Sequence, residues 1–224
     1  MAIYAISDLH LSYGVGNKPM NIFGNKWDDY EEKIKKEWIK IIKPDDVVIL
    51  SGDFSWATYM EETKEDFDFL NSLPGKKFMI KGNHDYWWTT VRKMNEYMEV
   101  NDYKDINFIY NNAYDVGEFL IAGTRYWGYD EETVDNDKIY NREIIRAKLS
   151  LDAALNINKE KPIIFTTHYP PDERIINALK DYNIKIWLYG HIHTKYEENV
   201  VTIPGIETYL TSCDYLDFKI QKII

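Results

Sequence analysis

The chain has 224 residues and 26.6 kDa, with 27 Lys and Arg against 37 Asp and Glu, a formal net charge of −10. That balance, with 45% apolar residues, excludes a disordered or fibrous chain, and a lone cysteine, Cys213, excludes a disulfide scaffold. A pI near 5.0 argues against a long nucleic acid as partner, because the phosphate backbone rewards clustered Lys and Arg.

Taken in chain order, short apolar runs alternate with amphipathic stretches. Residues 2–6, 47–50, 78–80, 163–165 and 186–188 are brief Ile-, Val- and Phe-rich runs, which read as strands buried on both faces. Residues 28–42, 61–73, 86–98, 139–155 and 172–182 carry apolar residues at helical spacing and read as helices. Residues 200–203, 208–212 and 218–220 suggest consecutive strands joined by hairpins. Residues 126–137 read as a long surface loop, and residues 61–68 as a solvated acidic helix face. Strand alternating with helix implies an α/β layered fold, and the length suits one domain over residues 1–224. No apolar run approaches the roughly 20 residues of a membrane span. A single thiol and no leader-like N-terminus make a cytoplasmic protein the expectation.

The informative pattern lies just beyond each strand. Residues 2–6 lead into Ser7-Asp8-Leu9-His10, residues 47–50 into Ser51-Gly52-Asp53, and residues 78–80 into Gly82-Asn83-His84-Asp85. Residues 163–165 lead into Thr166-Thr167-His168, and residues 186–188 into Gly190-His191-Ile192-His193. Ligands of open α/β sheets bind beyond the carboxyl ends of the strands, so these residues gather at one edge. Asp, His and one Asn, with no thiolate, suit Mn, Fe or Zn. Asp8 and His10 stand in a spacing that can chelate one ion, as do His191 and His193. Two divalent ions outweigh the charges of Asp8 and Asp53, so such a site attracts phosphate on an acidic chain. Ions about 3.5–4 Å apart can clamp both attacking and leaving oxygens in phosphoryl transfer, and one can lower the pKa of a bound water toward 7 to supply hydroxide.

The series Asp-x-His, Gly-Asp, Gly-Asn-His-Asp, His and Gly-His-x-His, from Asp8 to His193, resembles the calcineurin-like metallophosphoesterase superfamily. The resemblance implies a two-sheet β-sandwich flanked by helices, a four-layer α/β/β/α fold. It implies one metal held by Asp8, His10, Asp53 and His193, and a second held by Asp53, Asn83, His168 and His191. Asp53 would bridge them, and His84 would assist the departing oxygen. Protein Ser/Thr phosphatases of the superfamily follow Gly-Asp with an Asp-Arg pair; here Phe54-Ser55-Trp56-Ala57 stands in its place. That departure argues against phosphoprotein substrates and favours a small phosphodiester, with a phosphomonoester as the alternative. It also removes an orienting partner for His84, and Asp85 is the candidate replacement. Arg125 and Tyr169 are candidate substrate contacts, Trp87 and Trp88 candidate pocket floors, and Cys213 a small buried hydrophobe. Two rival readings carry less: a nuclease lacks a basic stripe here, and a non-catalytic scaffold does not need every histidine at a family position.

Overall fold

The computed structural model describes residues 1–16, 18–127, 136–193 and 200–224. Strand β1 (Ile3–Ile6) leads to helix α1 (Tyr30–Ile41), then β2 (Val47–Leu50), α2 (Lys64–Asn71), β3 (Lys76–Met79), α3 (Val91–Val100) and β4 (Ile106–Phe108). Next come β5 (Ala113–Asp115), β6 (Leu120–Thr124), α4 (Asn136–Ile157), β7 (Ile163–Thr167), α5 (Glu173–Leu179), β8 (Ile184–Tyr189), β9 (Glu207–Leu210) and β10 (Gln221–Lys222). One sheet has the order β10-β1-β2-β3-β4 and the other β5-β6-β7-β8-β9, so the last strand returns to the first sheet.

Alternation along the strands explains the layers. Ile3, Ala5, Val47, Ile49, Phe78 and Ile80 point between the sheets onto Ile121, Ile164, Ile186 and Leu188. Their neighbours Tyr4, Ile6, Val48, Leu50 and Met79 face outward, where Ile34 and Trp38 of α1, Phe67 and Leu70 of α2 and Met94 of α3 cover them. On the far side Leu120, Ala122, Ile163, Phe165 and Trp187 lie under Ala147, Leu151 and Ala154 of α4 and Ile175 and Leu179 of α5. Three apolar layers separate helix, sheet, sheet and helix, the α/β/β/α order expected. Strands β1, β2, β3 and β4 run parallel to one another, as do β6, β7, β8 and β9, so their carboxyl ends share an edge in each sheet. The two edges are joined there: Ser7 N–H donates to Thr211 O at 2.8 Å and Cys213 N–H to Ser7 O at 2.9 Å.

Four expectations are corrected. The C-terminal strands form no consecutive hairpins: β9 lies parallel to β8, β10 antiparallel to β1, and residues 200–203 contribute only the pairing of Ile203 with Ile206. A short apolar run signals a strand without naming its partner. The third helix starts at Val91 rather than at residue 86, because Tyr86 and Trp87 belong to the turn that Asp85 anchors. Residues 61–73 begin as a 3-10 turn, Met60–Thr63, before α2. Of the surface loop, residues 128–135 lie outside the described residues, Tyr126 is buried and residue 136 already opens α4. Among the described residues no helix is long and apolar enough to cross a membrane.

Lys77 is buried on β3, its ammonium donating to Leu73 O. Burial pushes it down to about 8, below the ordinary unfolded value near 10.4. The charged form therefore costs stability at neutral pH, and that cost fades as pH rises from about 8 to about 10.4. Urea unfolding of wild type and Lys77→Met at pH 7.5 and pH 10 should show wild type gaining on the order of 1–2 kcal/mol relative to the variant at the higher pH; parallel pH profiles contradict it.

Candidate metal centre

Loops at the carboxyl ends of β1, β2, β3, β7 and β8 bring Asp8, His10, Asp53, Asn83, His84, His168, His191 and His193 to one edge. Asp8 and His10 lie beyond β1 and do not converge by strand alternation. Both adopt left-handed backbone, φ 57° and 47°, as do Asp53 at 51° and His191 at 69°. Such conformations cost of order 1–3 kcal/mol for non-glycine residues and concentrate where function needs them. Glycine is obligatory at two neighbouring positions. A Cβ on Gly82 would overlap the Asp53 carboxylate, and one on Gly190 would overlap the Asp8 carboxylate and Ser7.

Asp53 stands at the centre. Its Oδ1 accepts from His84 N–H at 2.8 Å. Its Oδ2 is buried with no hydrogen-bond partner, 3.7 Å from His10 Nε2 and 3.5 Å from His168 Nε2. His168 Nδ1 donates to Ser51 O at 2.9 Å, which aims Nε2 at Asn83 Oδ1, 2.6 Å away. His191 Nδ1 lies 3.1 Å from the same Asn83 oxygen. The Asp8 carboxylate accepts from Ser7 Oγ at 2.5 Å and His191 N–H at 3.1 Å, and its Oδ1 is 3.8 Å from His193 Nε2. Two groups, Asp8–His10–His193 and Asp8–Asp53–His168, each hold their ligand atoms within 4.8 Å of one another.

Burial and pairing set the charge states of the cluster. Burial pushes His10 down to about 3, leaving a neutral imidazole. Burial also pushes His168 down, but facing Asp53 outweighs it and carries the ring up to about 9. The same pairing holds Asp53 below the usual carboxylate range against the effect of its burial. The shift on His168 follows from the negative charge of Asp53 facing its Nε2 at 3.5 Å. An orphaned carboxylate oxygen between imidazole nitrogens, with carboxylate, amide and imidazole donors and no thiolate, fits a hard-to-intermediate divalent cation.

The His84 ring lies 4.6 Å from Trp56 and 5.6 Å from His10, with Nδ1 buried and unpartnered. Asp85 does not orient it. The Asp85 carboxylate is taken up by the N–H groups of Asp53, Phe54, Ser55 and Gly82 and by Trp87 Nε1, at 2.8–3.2 Å. It ties the β2 and β3 loops together and is a structural anchor, because adjacent side chains on a turn diverge. Where the Asp-Arg pair would begin, Trp56 instead stacks on His10 at 4.7 Å. With Phe23, Trp27 and His84 it lines a cavity of about 380 Å³ opening on the cluster. Tyr169 packs 4.2 Å from the His191 ring, and the Arg125 guanidinium lies over Trp127, 4.6 Å away. Trp87 packs in the outer core beside Phe54 and Phe67, and with Trp88 it lines a surface groove beside Tyr59, Met60 and Tyr97, away from the ligand cluster. Cys213 is buried, with Sγ donating to Asp8 O at 3.0 Å.

Asp214 is a site residue that the sequence reading misses. It lies beyond the end of β9 as the other site residues lie beyond theirs, and that placement past a strand end could have found it, although Glu207-Thr208-Tyr209-Leu210 is not an apolar run. Its Oδ1 accepts from His193 Nδ1 at 3.0 Å and its Oδ2 from Lys26 Nζ at 2.5 Å. A carboxylate behind a ligating imidazole fixes tautomer and ring orientation, and its loss typically costs about 10–100-fold in metal affinity. Asp214→Asn should weaken Mn binding by about that factor in equilibrium dialysis; unchanged affinity removes Asp214 from the support of the site.

Fold and cluster together define a class: an α/β/β/α protein whose strand edge gathers candidate Asp and His ligands for a metal ion. The chain belongs to the calcineurin-like phosphoesterase family, whose model matches residues 1–195. A comparison with curated proteins returned no match. Among solved structures it is similar to TT1561 of Thermus thermophilus, with 16% identity and TM-score 0.60 over 99% of this chain and 97% of that one. The protein of unknown function AQ665 from Aquifex aeolicus matches with 19% identity and TM-score 0.51, covering 99% and 95%. Thermus thermophilus sulfate thiohydrolase SoxB, in complex with glycerol, matches 94% of this chain and 51% of its own at 11% identity and TM-score 0.52. At these identities the likeness is one of fold.

Proposed function

We propose that the protein hydrolyses a small phosphodiester with two divalent cations held by Asp8, His10, Asp53, Asn83, His168, His191 and His193. The observation that carries this reading is the buried, unpartnered Asp53 Oδ2 between His10 and His168. Asp8, His10, Asp53 and His193 would hold one cation, and Asp53, Asn83, His168 and His191 the other. The cations, when bound, supply charge to the phosphoryl oxygens and acidify water. The chain does the rest. Asp214 holds His193 by Nδ1 and Ser51 holds His168 by Nδ1, so each presents Nε2. His84 stands at the mouth of the aromatic cavity, where one organic arm of the ester fits, and delivers a proton to the departing oxygen. Burial pushes its ring below the ordinary value, which makes the protonated ring a stronger acid and reduces the fraction protonated at neutral pH. A cytoplasmic setting belongs to the same proposal, on the free, buried thiol of Cys213. The test is a panel of phosphoesters assayed with Mn, Fe and Zn. Bis-p-nitrophenyl phosphate should be cleaved at least as well as p-nitrophenyl phosphate; strong preference for the monoester overturns the diester reading, and no hydrolysis with any metal overturns the hydrolase.

A further inference from the structure

A second cavity, of about 260 Å³, lies between the β3 and β6 ends and the first half of α4. On a chain with ten more acids than bases, its lining collects Lys81, Arg125, Arg142 and Arg146. The buried carboxylate of Glu143 answers two of them: its Oε1 accepts from Arg142 Nε at 3.3 Å and Arg146 Nη1 at 2.9 Å. Among the described residues, neither the Lys81 ammonium nor the Arg125 guanidinium makes a hydrogen bond or ion pair, and Arg125 Nε is buried. Trp88, 8% exposed on the same wall, keeps its Nε1–H buried without an acceptor. Glu143, whose Oε2 is itself buried without a hydrogen-bond partner, sets one carboxylate against the four cations, so donors and positive charge remain in surplus, which is recognition chemistry for an oxyanion. Its volume exceeds the ~30 Å³ share of one water and falls below the ~300 Å³ of a site for a whole drug-sized ligand, the scale of one anionic group.

Its position links it to the metal centre. Lys81 precedes Gly82-Asn83 in the same loop, and Arg125 O accepts from the N–H groups of His168 and Tyr169 at 3.0 and 3.3 Å. The Arg125 guanidinium lies on Trp127, Trp127 stacks on Tyr169 at an interplanar angle of 9°, and Tyr169 packs on His191. We propose that Lys81, Arg125 and Arg146 form a subsite for a second phosphoryl group, so that the substrate is an ester carrying a phosphate beyond the scissile one. This rests on the phosphoesterase reading for its role, while anion binding itself does not depend on turnover.

The binding test therefore uses inorganic phosphate on protein stripped of metal by chelation. Calorimetry should show phosphate binding to stripped wild type that weakens ~10-fold or more in Lys81→Gln/Arg125→Gln, the scale of lost charge-assisted hydrogen bonds. Circular dichroism checks that the double variant is folded, and Arg146→Gln should shift affinity in the same direction. Absence of binding to stripped wild type, or equal binding by the folded double variant, overturns the subsite. In turnover with Mn, wild type should prefer a nitrophenyl phosphodiester bearing an added phosphomonoester over the same diester without it by ~10-fold or more in kcat/KM, and the double variant should lose that preference. A wild-type ratio near one overturns the substrate class. Failure of all hydrolysis beside intact phosphate binding is a different result, and it strikes the hydrolase reading.

Discussion

Replacing Asp53 by Asn should strip the protein of both cations and lower turnover at least about 10³-fold. The substitution is nearly isosteric, and the Asn carbonyl can still accept from His84 N–H as Oδ1 does. What it removes is the charge on Oδ2, the atom buried between His10 and His168 with no other partner. An amide nitrogen there turns a donor toward both imidazoles and toward any cation they hold. Loss of several kcal/mol of charge stabilisation, at about 1.36 kcal/mol per tenfold in rate, gives the stated scale. Elemental analysis of the purified variant and steady-state hydrolysis of bis-p-nitrophenyl phosphate check it. Two equivalents of metal with near wild-type turnover dismiss Asp53 as the shared ligand.

The second large effect is expected at His84. His84→Ala should lower turnover about 10²–10⁴-fold on an alkyl phosphodiester, the usual scale for acid–base help, while leaving metal content unchanged. His84 belongs to neither group of clustered ligand atoms, and only its backbone N–H touches Asp53 by a hydrogen bond. Because its task is to protonate a departing oxygen, the penalty should shrink on a nitrophenyl ester, whose leaving group departs well as an anion. Equal penalties on the two substrates deny that role, and loss of metal assigns His84 to the ligand set instead.

Much of this architecture is legible in the sequence, for definable reasons. Runs such as Val47–Leu50 are apolar at every position because both faces of the strand are buried, and a polar residue immediately after such a run has only the strand edge to occupy. That logic finds Asp8, Asp53 and His168. Asp214 also lies past a strand end, but that strand, Glu207-Thr208-Tyr209-Leu210, is not apolar throughout, and an aspartate without a histidine or glycine beside it does not stand out among 37 acidic residues. Asp85 shows a different limit: a motif states which residues are adjacent, not where each points, and its carboxylate turns away to collect five N–H donors. The partners of β9 and β10 are illegible because two- to four-residue strands carry too little alternation to specify a register. The cationic cavity is equally hidden, since Lys81, Arg125 and Arg146 belong to three separate segments that only packing unites.

The joining of the sheet edges sets an order of events. His191 N–H grips the Asp8 carboxylate across 183 positions of chain, and Cys213 N–H reaches Ser7 O from still further along. Closing contacts so distant is slow and comes after local structure has formed. No nascent fragment ending before His191 owns a complete ligand set. Cation binding by the full proposed set would therefore follow the meeting of the two sheet edges, and would draw the folding equilibrium toward the finished molecule as any ligand selective for the native state does.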